Sequence, residues 1–326
     1  MVRVLSDADV AAVLDLSTLL DVVAEAFRKQ AAGEVERPER PHFLVGRGLD
    51  PENPEKSAGT GLAMPAYVYG RNYYATKLAS VHEGNAERGL TTVNAQIALN
   101  EAKTGLPAAY MDGTRITNAR TGAIGGLAAR ALADEPVTLG VLGAGTQARW
   151  QTRAVAAATD LREVRFYSPS ESRKQCAEDM GAELDVDTRA VSAPADAVEG
   201  ASVVVTATTA REPVFPAEAL APNAVVVAVG AYTAEMQELE SEVFERADRL
   251  FADVPEEVAE IGDALAAGLE ARDFRPFAEL LEEGRKGDEI VVVESVGTAV
   301  LDAVTAEYVY ENAVEREIGH EVELSN

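Results

Sequence analysis

Residues 137–150 place an apolar strand, a glycine turn and the opening of a helix in direct succession, and no other stretch restricts the fold so sharply. The apolar run after Pro136 leads into Gly143-Ala144-Gly145-Thr146-Gln147-Ala148. In such a turn the first glycine permits the tight bend, the second lets backbone approach a pyrophosphate, and a small third residue keeps the helix close to the sheet. Free N–H groups at the helix start then attract anions. A glycine hexad alone also occurs in ordinary turns. Here strand-like segments at 164–167, 201–207, 224–229 and 250–252 follow it, alternating with helical ones such as 173–180. That alternation is the pattern of a doubly wound parallel sheet. It predicts a Rossmann-type domain with a nicotinamide dinucleotide as cofactor, held by Gly143, Gly145, Thr146, Gln147 and Ala148. Thr208 and Val229, at the ends of two of the strands, complete the expected contacts.

The second strand should deliver the residue that reads the adenosine ribose. An NAD-preferring site usually has an acid there, whereas this chain has Ser168-Pro169-Ser170, followed by Arg173. Hydroxyls and a guanidinium suit a 2′-phosphate, so NADP(H) is somewhat favoured over NAD(H), with Glu171 as the residue that a small loop shift brings to the ribose.

The 326 residues exceed the length of about 250 to 300 at which single cores stop growing, so two domains are expected. Acidic residues outnumber basic ones 55 to 29, a net charge of −26 spread along the chain. This excludes the basic footprint of a nucleic-acid binder. With lysine only at Lys29, Lys56, Lys77, Lys103, Lys174 and Lys286, the composition is that of a cytoplasmic protein from a salt-accumulating microbe, where concentrated cations screen self-repulsion. Cys176 is the single cysteine, and His42, His82 and His320 stand far apart, so no metal site is expected. No signal-peptide core or membrane span is read.

Ahead of the glycine turn, Ser6 with Asp9 resembles a capping box, and a helical pattern at 17–32 stops at Gly33. Residues 35–60 are irregular. Segments 61–69, 72–80, 90–98 and 108–111 read as an antiparallel meander, with Asp112-Gly113 as a turn and a helix at 117–133. A last helix at 297–313, with Val300, Ala303, Val304, Tyr308 and Ala313 as buried positions, is expected to return to the first domain.

Several motifs occur together in order: Met64-Pro65-Ala66-Tyr67, residues 77–85, Thr104-Gly105-Leu106-Pro107 leading into Asp112-Gly113, Thr117-Asn118-Ala119-Arg120-Thr121-Gly122-Ala123, the glycine turn, and Ser295-Val296-Gly297-Thr298-Ala299 with Asp302. In these, over nearly its full length, the chain resembles the family of ornithine cyclodeaminase, mu-crystallin and archaeal alanine dehydrogenase. The resemblance implies an α/β fold. A substrate-binding and dimerisation domain (1–118) precedes the dinucleotide-binding domain (119–296), and residues 297–326 return to complete the first, α+β, domain. It also implies a homodimer, a site in the cleft between domains, and small 2-amino or 2-imino acid substrates. Arg40 and Arg120 match the arginines that hold the substrate carboxylate, for which a guanidinium fork is well shaped. Lys77 matches the active-site lysine. It serves either as a cation holding the carboxylate or, with its pKa depressed by neighbouring arginines, as proton donor and acceptor at the 2-imino group. Read without the family, Arg40 is one charge among many, whereas Lys77 inside an apolar strand is unusual for a solvated lysine. His82 is left without a catalytic role and Cys176 is read as packing.

One departure narrows the reaction. Cyclodeaminases of the family carry an aspartate after the strand ending in Val-Gly. Counted back from Glu238-Leu239, its position here is Tyr232. Tyrosine is a poor base near neutral pH, with a reference pKa of about 10, and only Glu235 offers a substitute. The main expectation is therefore an alanine dehydrogenase. Ornithine cyclodeaminase, a ketimine reductase and a non-catalytic NADPH-binding protein like mu-crystallin are the alternatives.

Overall fold

Two sheets organise the protein, whose computed structural model describes residues 1–324. Their strands, in chain order, are β1 (Val2–Leu5), β2 (Val35–Glu36), β3 (His42–Val45), β4 (Gly59–Val68), β5 (Tyr73–Val81), β6 (Val93–Glu101), β7 (Pro107–Asp112), β8 (Val137–Leu142), β9 (Leu161–Tyr167), β10 (Asp187–Ala190), β11 (Val203–Thr206), β12 (Val225–Ala228), β13 (Arg249–Ala252), β14 (Arg275–Pro276), β15 (Val291–Glu294) and β16 (His320–Val322). The chain divides into two units. One comprises Met1–Asp15, Arg28–Arg120 and Ala299 onward; the other comprises Leu16–Phe27 and Thr121–Thr298.

In the first unit β4 to β7 form an antiparallel meander, β1 joins β7 in parallel, and β16 pairs with the outer edge of β1. The strand expected at 90–98 lies at Val93–Glu101 instead, because its extent is set by pairing with β5, from Val81↔Val93 to Tyr73↔Glu101. Asp112-Gly113 is not a hairpin turn. β7 ends at Asp112 and a helix, Gly113–Leu132, begins directly. The Asp112 carboxylate accepts the Arg115 backbone N–H at 2.8 Å, which makes it an N-cap and explains why the helix starts earlier than its apolar pattern. The C-terminal helix, Ala299–Glu315, packs on β4, β5 and β6. Val300, Ala303, Val304 and Ala313 are buried as expected. Tyr308 is only half-buried, since its hydroxyl reaches the rim to accept the Asp15 N–H.

The second unit is a fully parallel sheet in the order β10-β9-β8-β11-β12-β15-β13-β14. Every residue of β8 is buried, as a strand covered on both faces requires. Helices Thr146–Ala158 and Ser172–Leu184 follow β8 and β9, giving βαβ units. The sequence reading passed over β15, which is inserted between β12 and β13. Its short apolar run carries no turn signal on its C-terminal side and runs straight into Ser295-Val296-Gly297. Among the described residues no helix is long and apolar enough to cross a membrane.

Candidate active site

Strand pairing in the first unit aligns Leu5, Met111, Ile97, Lys77 and Met64 across five strands. All five are buried, and Lys77 is the charged member of the row. Alternation along β5 sends Lys77 to the inner face, where the C-terminal helix packs. An ammonium in that position needs an anion, and Asp302 of the helix supplies it: Lys77 Nζ donates to Asp302 Oδ2 at 2.5 Å. Arg120, on helix Gly113–Leu132, donates from Nε to Asp302 Oδ1 at 2.9 Å. The three side chains are 5 % exposed or less. Arg120 Nη1 is likewise buried and has no hydrogen-bond partner among the described residues.

The electrostatics are those of two cations sharing one anion. Burial pulls the Lys77 ammonium down, Asp302 pushes it back up, and the charges of Arg120 and Arg40 add to the fall, leaving it at about 8. Burial opposes the charge on Asp302 too, but Arg120 and Lys77 outweigh that and hold its carboxyl below the ordinary aspartate value. Arg40 is half-buried and near enough for its charge to act on Lys77. The fold therefore brings all three predicted basic residues into one electrostatic neighbourhood. Two positive charges exceed the single carboxylate they share, and the orphan guanidinium N–H of Arg120 fits a second, incoming carboxylate.

In the second unit Gly143 has φ +126°, and an added Cβ would stand 2.5 Å from the Ala207 carbonyl oxygen, so only glycine fits. Gly145 caps the helix Thr146–Ala158 with no side-chain hydrogen bond, and Thr146 is exposed beside it. Gln147 is half-buried and Ala148 fully buried. The helix N-terminus thus presents backbone N–H groups, with nothing among the described residues within 4 Å of a Cβ built at Gly145. That is a cradle suited to a pyrophosphate. Thr208 and Val229 lie half-buried just past β11 and β12.

At the end of β9, the hydroxyls of Ser168, Ser170 and Ser172 form a chain, with 3.3 Å and 2.5 Å between successive oxygens. Arg173 donates to the carbonyls of Ser168 and Ser170 at 3.1 and 2.7 Å, so it shapes the loop as well as charging it. Glu171 bridges Arg173 and Lys174.

Asp302 is the central residue that was not singled out as a functional group. The available signal was an acid amid Val300, Leu301, Ala303 and Val304, where an unpaired carboxylate would be costly. Glu238, to which the sequence assigns no role, is fully buried. His82 has its ring Nδ1 3.1 Å from the Ala58 carbonyl oxygen, and Cys176 is buried.

Residues 2–317 match the model of the ornithine cyclodeaminase/mu-crystallin family. The alanine dehydrogenase of Archaeoglobus fulgidus is 32 % identical over 334 aligned residues, covering 98 % of each chain. A Δ1-pyrroline-2-carboxylate reductase of Bacillus cereus is 34 % identical over 277 residues, 81 % of this chain and 85 % of its own. The structure of Thermococcus litoralis Δ1-pyrroline-2-carboxylate reductase in complex with NADH and L-proline has a TM-score of 0.90 at 31 % identity, covering 98 % of this chain and 100 % of that one.

Proposed function

We propose that this chain, which belongs to the ornithine cyclodeaminase/mu-crystallin family, reduces the carbon–nitrogen double bond of a small 2-imino acid, with a cyclic ketimine carboxylate of the Δ1-pyrroline-2-carboxylate kind as its substrate. It is an NAD(P)-dependent oxidoreductase acting on a small amino or imino acid; the choice of acid is the proposal. The observation that carries the carboxylate site is the buried Nη1 of Arg120, unpartnered among the described residues, beside the Lys77–Asp302 pair; the reductases among the relatives support the cyclic ketimine. Arg120 and Arg40 hold the substrate carboxylate. Asp302 holds the Arg120 fork and the Lys77 ammonium in place, and Lys77, with its proton made labile by burial, delivers it to the imino nitrogen. A nicotinamide dinucleotide, when bound, supplies the hydride that C2 accepts.

Alanine dehydrogenation is the second reading, favoured by the Archaeoglobus fulgidus relative that aligns over 98 % of both chains. The two differ in whether the nitrogen is already in a ring or comes from free ammonia. Ornithine cyclisation is disfavoured by the position of Tyr232 and by Glu235. The latter is exposed, and its hydrogen bond from Thr233 holds it below the ordinary glutamate value, so it is a weak base.

The test is a comparison of kcat/KM for reduction of Δ1-pyrroline-2-carboxylate, Δ1-piperideine-2-carboxylate and pyruvate with ammonia, and for oxidation of alanine and ornithine, in high KCl with each cofactor. The cyclic ketimines should lead. Alanine and pyruvate leading would install the second reading, and rapid proline formation from ornithine would overturn both. The serine run and Arg173 support NADPH over NADH, and Arg173→Ala should erase that preference. A homodimer is supported by the outer face of the first sheet, where Val4, Leu78 and Tyr110 are exposed. Sedimentation velocity reads it directly.

A further inference from the structure

Glu238 lies outside any strand or helix, in the loop segment after β12, and is 0 % exposed. Its carboxylate collects three donors, two from the end of β11 and the loop after it and one from the start of its own loop. Oε1 accepts the Thr208 N–H at 2.6 Å, while Oε2 accepts the Thr206 hydroxyl at 2.9 Å and the Gly230 N–H at 2.8 Å. These belong to the carboxyl-terminal ends of β11 and β12, which are neighbours in the parallel sheet. The loops cross so closely that a Cβ added to Gly230 would collide with the Thr208 peptide and stand 2.5 Å from Glu238 Oε1. On the other side, the Ala207 carbonyl closes against Gly143 of the glycine turn. One carboxylate thus ties together the rims of β11 and β12, and through Ala207 the rim of β11 abuts the turn at the end of β8. Glu238 is itself anchored, since its own N–H and that of Leu239 both donate to Asp263 Oδ1, at 2.8 and 2.7 Å.

We propose that Glu238 is a positioning residue for dinucleotide binding: as a carboxylate it clamps the loops bearing Thr208 and Val229 into the arrangement that the cofactor requires. The proposal rests on the dinucleotide reading of the second unit and not on the identity of the imino acid. The chemistry is one of acceptor count. A carboxylate offers only acceptors, matching three donors, whereas a carboxamide or a protonated acid turns one oxygen position into a donor facing a backbone N–H. The charged groups that face Glu238 are Asp263, the second residue of the helix Gly262–Ala267, and Glu294 at the end of β15; Asp253, after β13, acts in turn on Glu294. Burial, with Asp263 adding to it against the hydrogen bonds from Thr208 and Thr206, raises Glu238 to about 7, so the clamp loosens as pH falls below neutrality.

The test titrates the full-length protein with NADH and with NADPH, followed by cofactor fluorescence, between about pH 6 and pH 8. Melting temperature and substrate KM at saturating cofactor are measured beside it. Glu238→Gln should raise the cofactor dissociation constant about tenfold and leave substrate KM within about twofold, because a donor now opposes a donor. Thr206→Val removes one of the three ties and should cost about threefold, while Thr206→Ser retains the hydroxyl and should bind as wild type. Wild-type affinity should weaken below about pH 7, and that limb should be missing from Glu238→Gln. Unchanged cofactor affinity in Glu238→Gln, or a lower melting temperature without a change in affinity, would overturn the proposal. If Glu238→Gln does not fold, the Thr206 pair and the wild-type pH limb decide it: no effect of Thr206→Val together with a flat pH dependence overturns it. A wild-type protein that binds neither dinucleotide overturns the underlying reading as well, and is distinct from the outcome in which wild type and variants bind equally.

Discussion

Asp302 and Glu238 are equally withdrawn from water, at 1 % and 0 % exposure, yet they carry charge on different terms. Asp302 sits between Lys77 and Arg120, whose cations outweigh its burial and keep it ionised. Among the described residues Glu238 receives neutral donors and has acids for charged neighbours, so burial prevails and its pKa rises to about 7. Hydrogen bonds from three neutral groups do not replace two cations at 2.5 and 2.9 Å. The first arrangement leaves positive charge in excess of the one carboxylate, as the proposed carboxylate site requires. The second makes a tie that responds to pH.

The comparison can be broken at either end. The largest effect expected is from Lys77→Ala, which should lower kcat/KM for the imino acid about 10²- to 10⁴-fold with cofactor affinity unchanged. A loss confined to the cofactor's dissociation constant would erase the distinction between the two carboxylate sites. Asp302→Asn leaves two buried cations facing each other and should cost about 3 to 5 kcal/mol in chemical denaturation. Glu238→Gln removes a charge without stranding another and should cost less; the reverse order would show that the ion pairing at Asp302 is not what stabilises it.

A smaller effect sharpens the comparison through pH. Lys77 is protonated below about 8 and neutral above it, so if its proton serves the imino nitrogen, kcat/KM for reduction falls as pH rises through about 8. Lys77→Arg, if active, should lose that falling limb, because guanidinium does not titrate there. The smallest expected change concerns neither site alone. With a net charge of −26, the melting temperature should rise from dilute buffer to multimolar KCl as self-repulsion is screened. A melting temperature indifferent to KCl would remove the salt-adapted reading of the composition.

Much of this molecule was legible from local pattern. The glycine turn, the strand before it and the alternation after it predicted the parallel sheet because turn geometry and apolar periodicity act over a few residues. Lys77 stood out as a charge within an apolar strand, and Arg120 entered through the motif Thr117-Asn118-Ala119-Arg120-Thr121-Gly122-Ala123. Asp302 was quoted only as part of a motif, for its partners lie 225 and 182 residues away in the chain and no local rule pairs them. Glu238 was harder still. It is one of 55 acidic residues, and nothing in its immediate sequence distinguishes a buried carboxylate from a solvated one. β15 was passed over for a related reason: a short apolar run acquires its meaning only from the strands that flank it in space.

By itself, the sequence determined the doubly wound unit around residues 137–150 and the meander that precedes it, while the basic residues proposed for a carboxylate came from the family resemblance. The unit and the meander follow from hydrophobic period and glycine conformation, both of which are local. Only the tertiary structure decided which charges meet, that Lys77 and Arg120 share Asp302, and that Glu238 is sealed among neutral donors. Desolvation and Coulomb energy depend on what surrounds a group in three dimensions, and for both carboxylates that surrounding is assembled from segments remote in the chain.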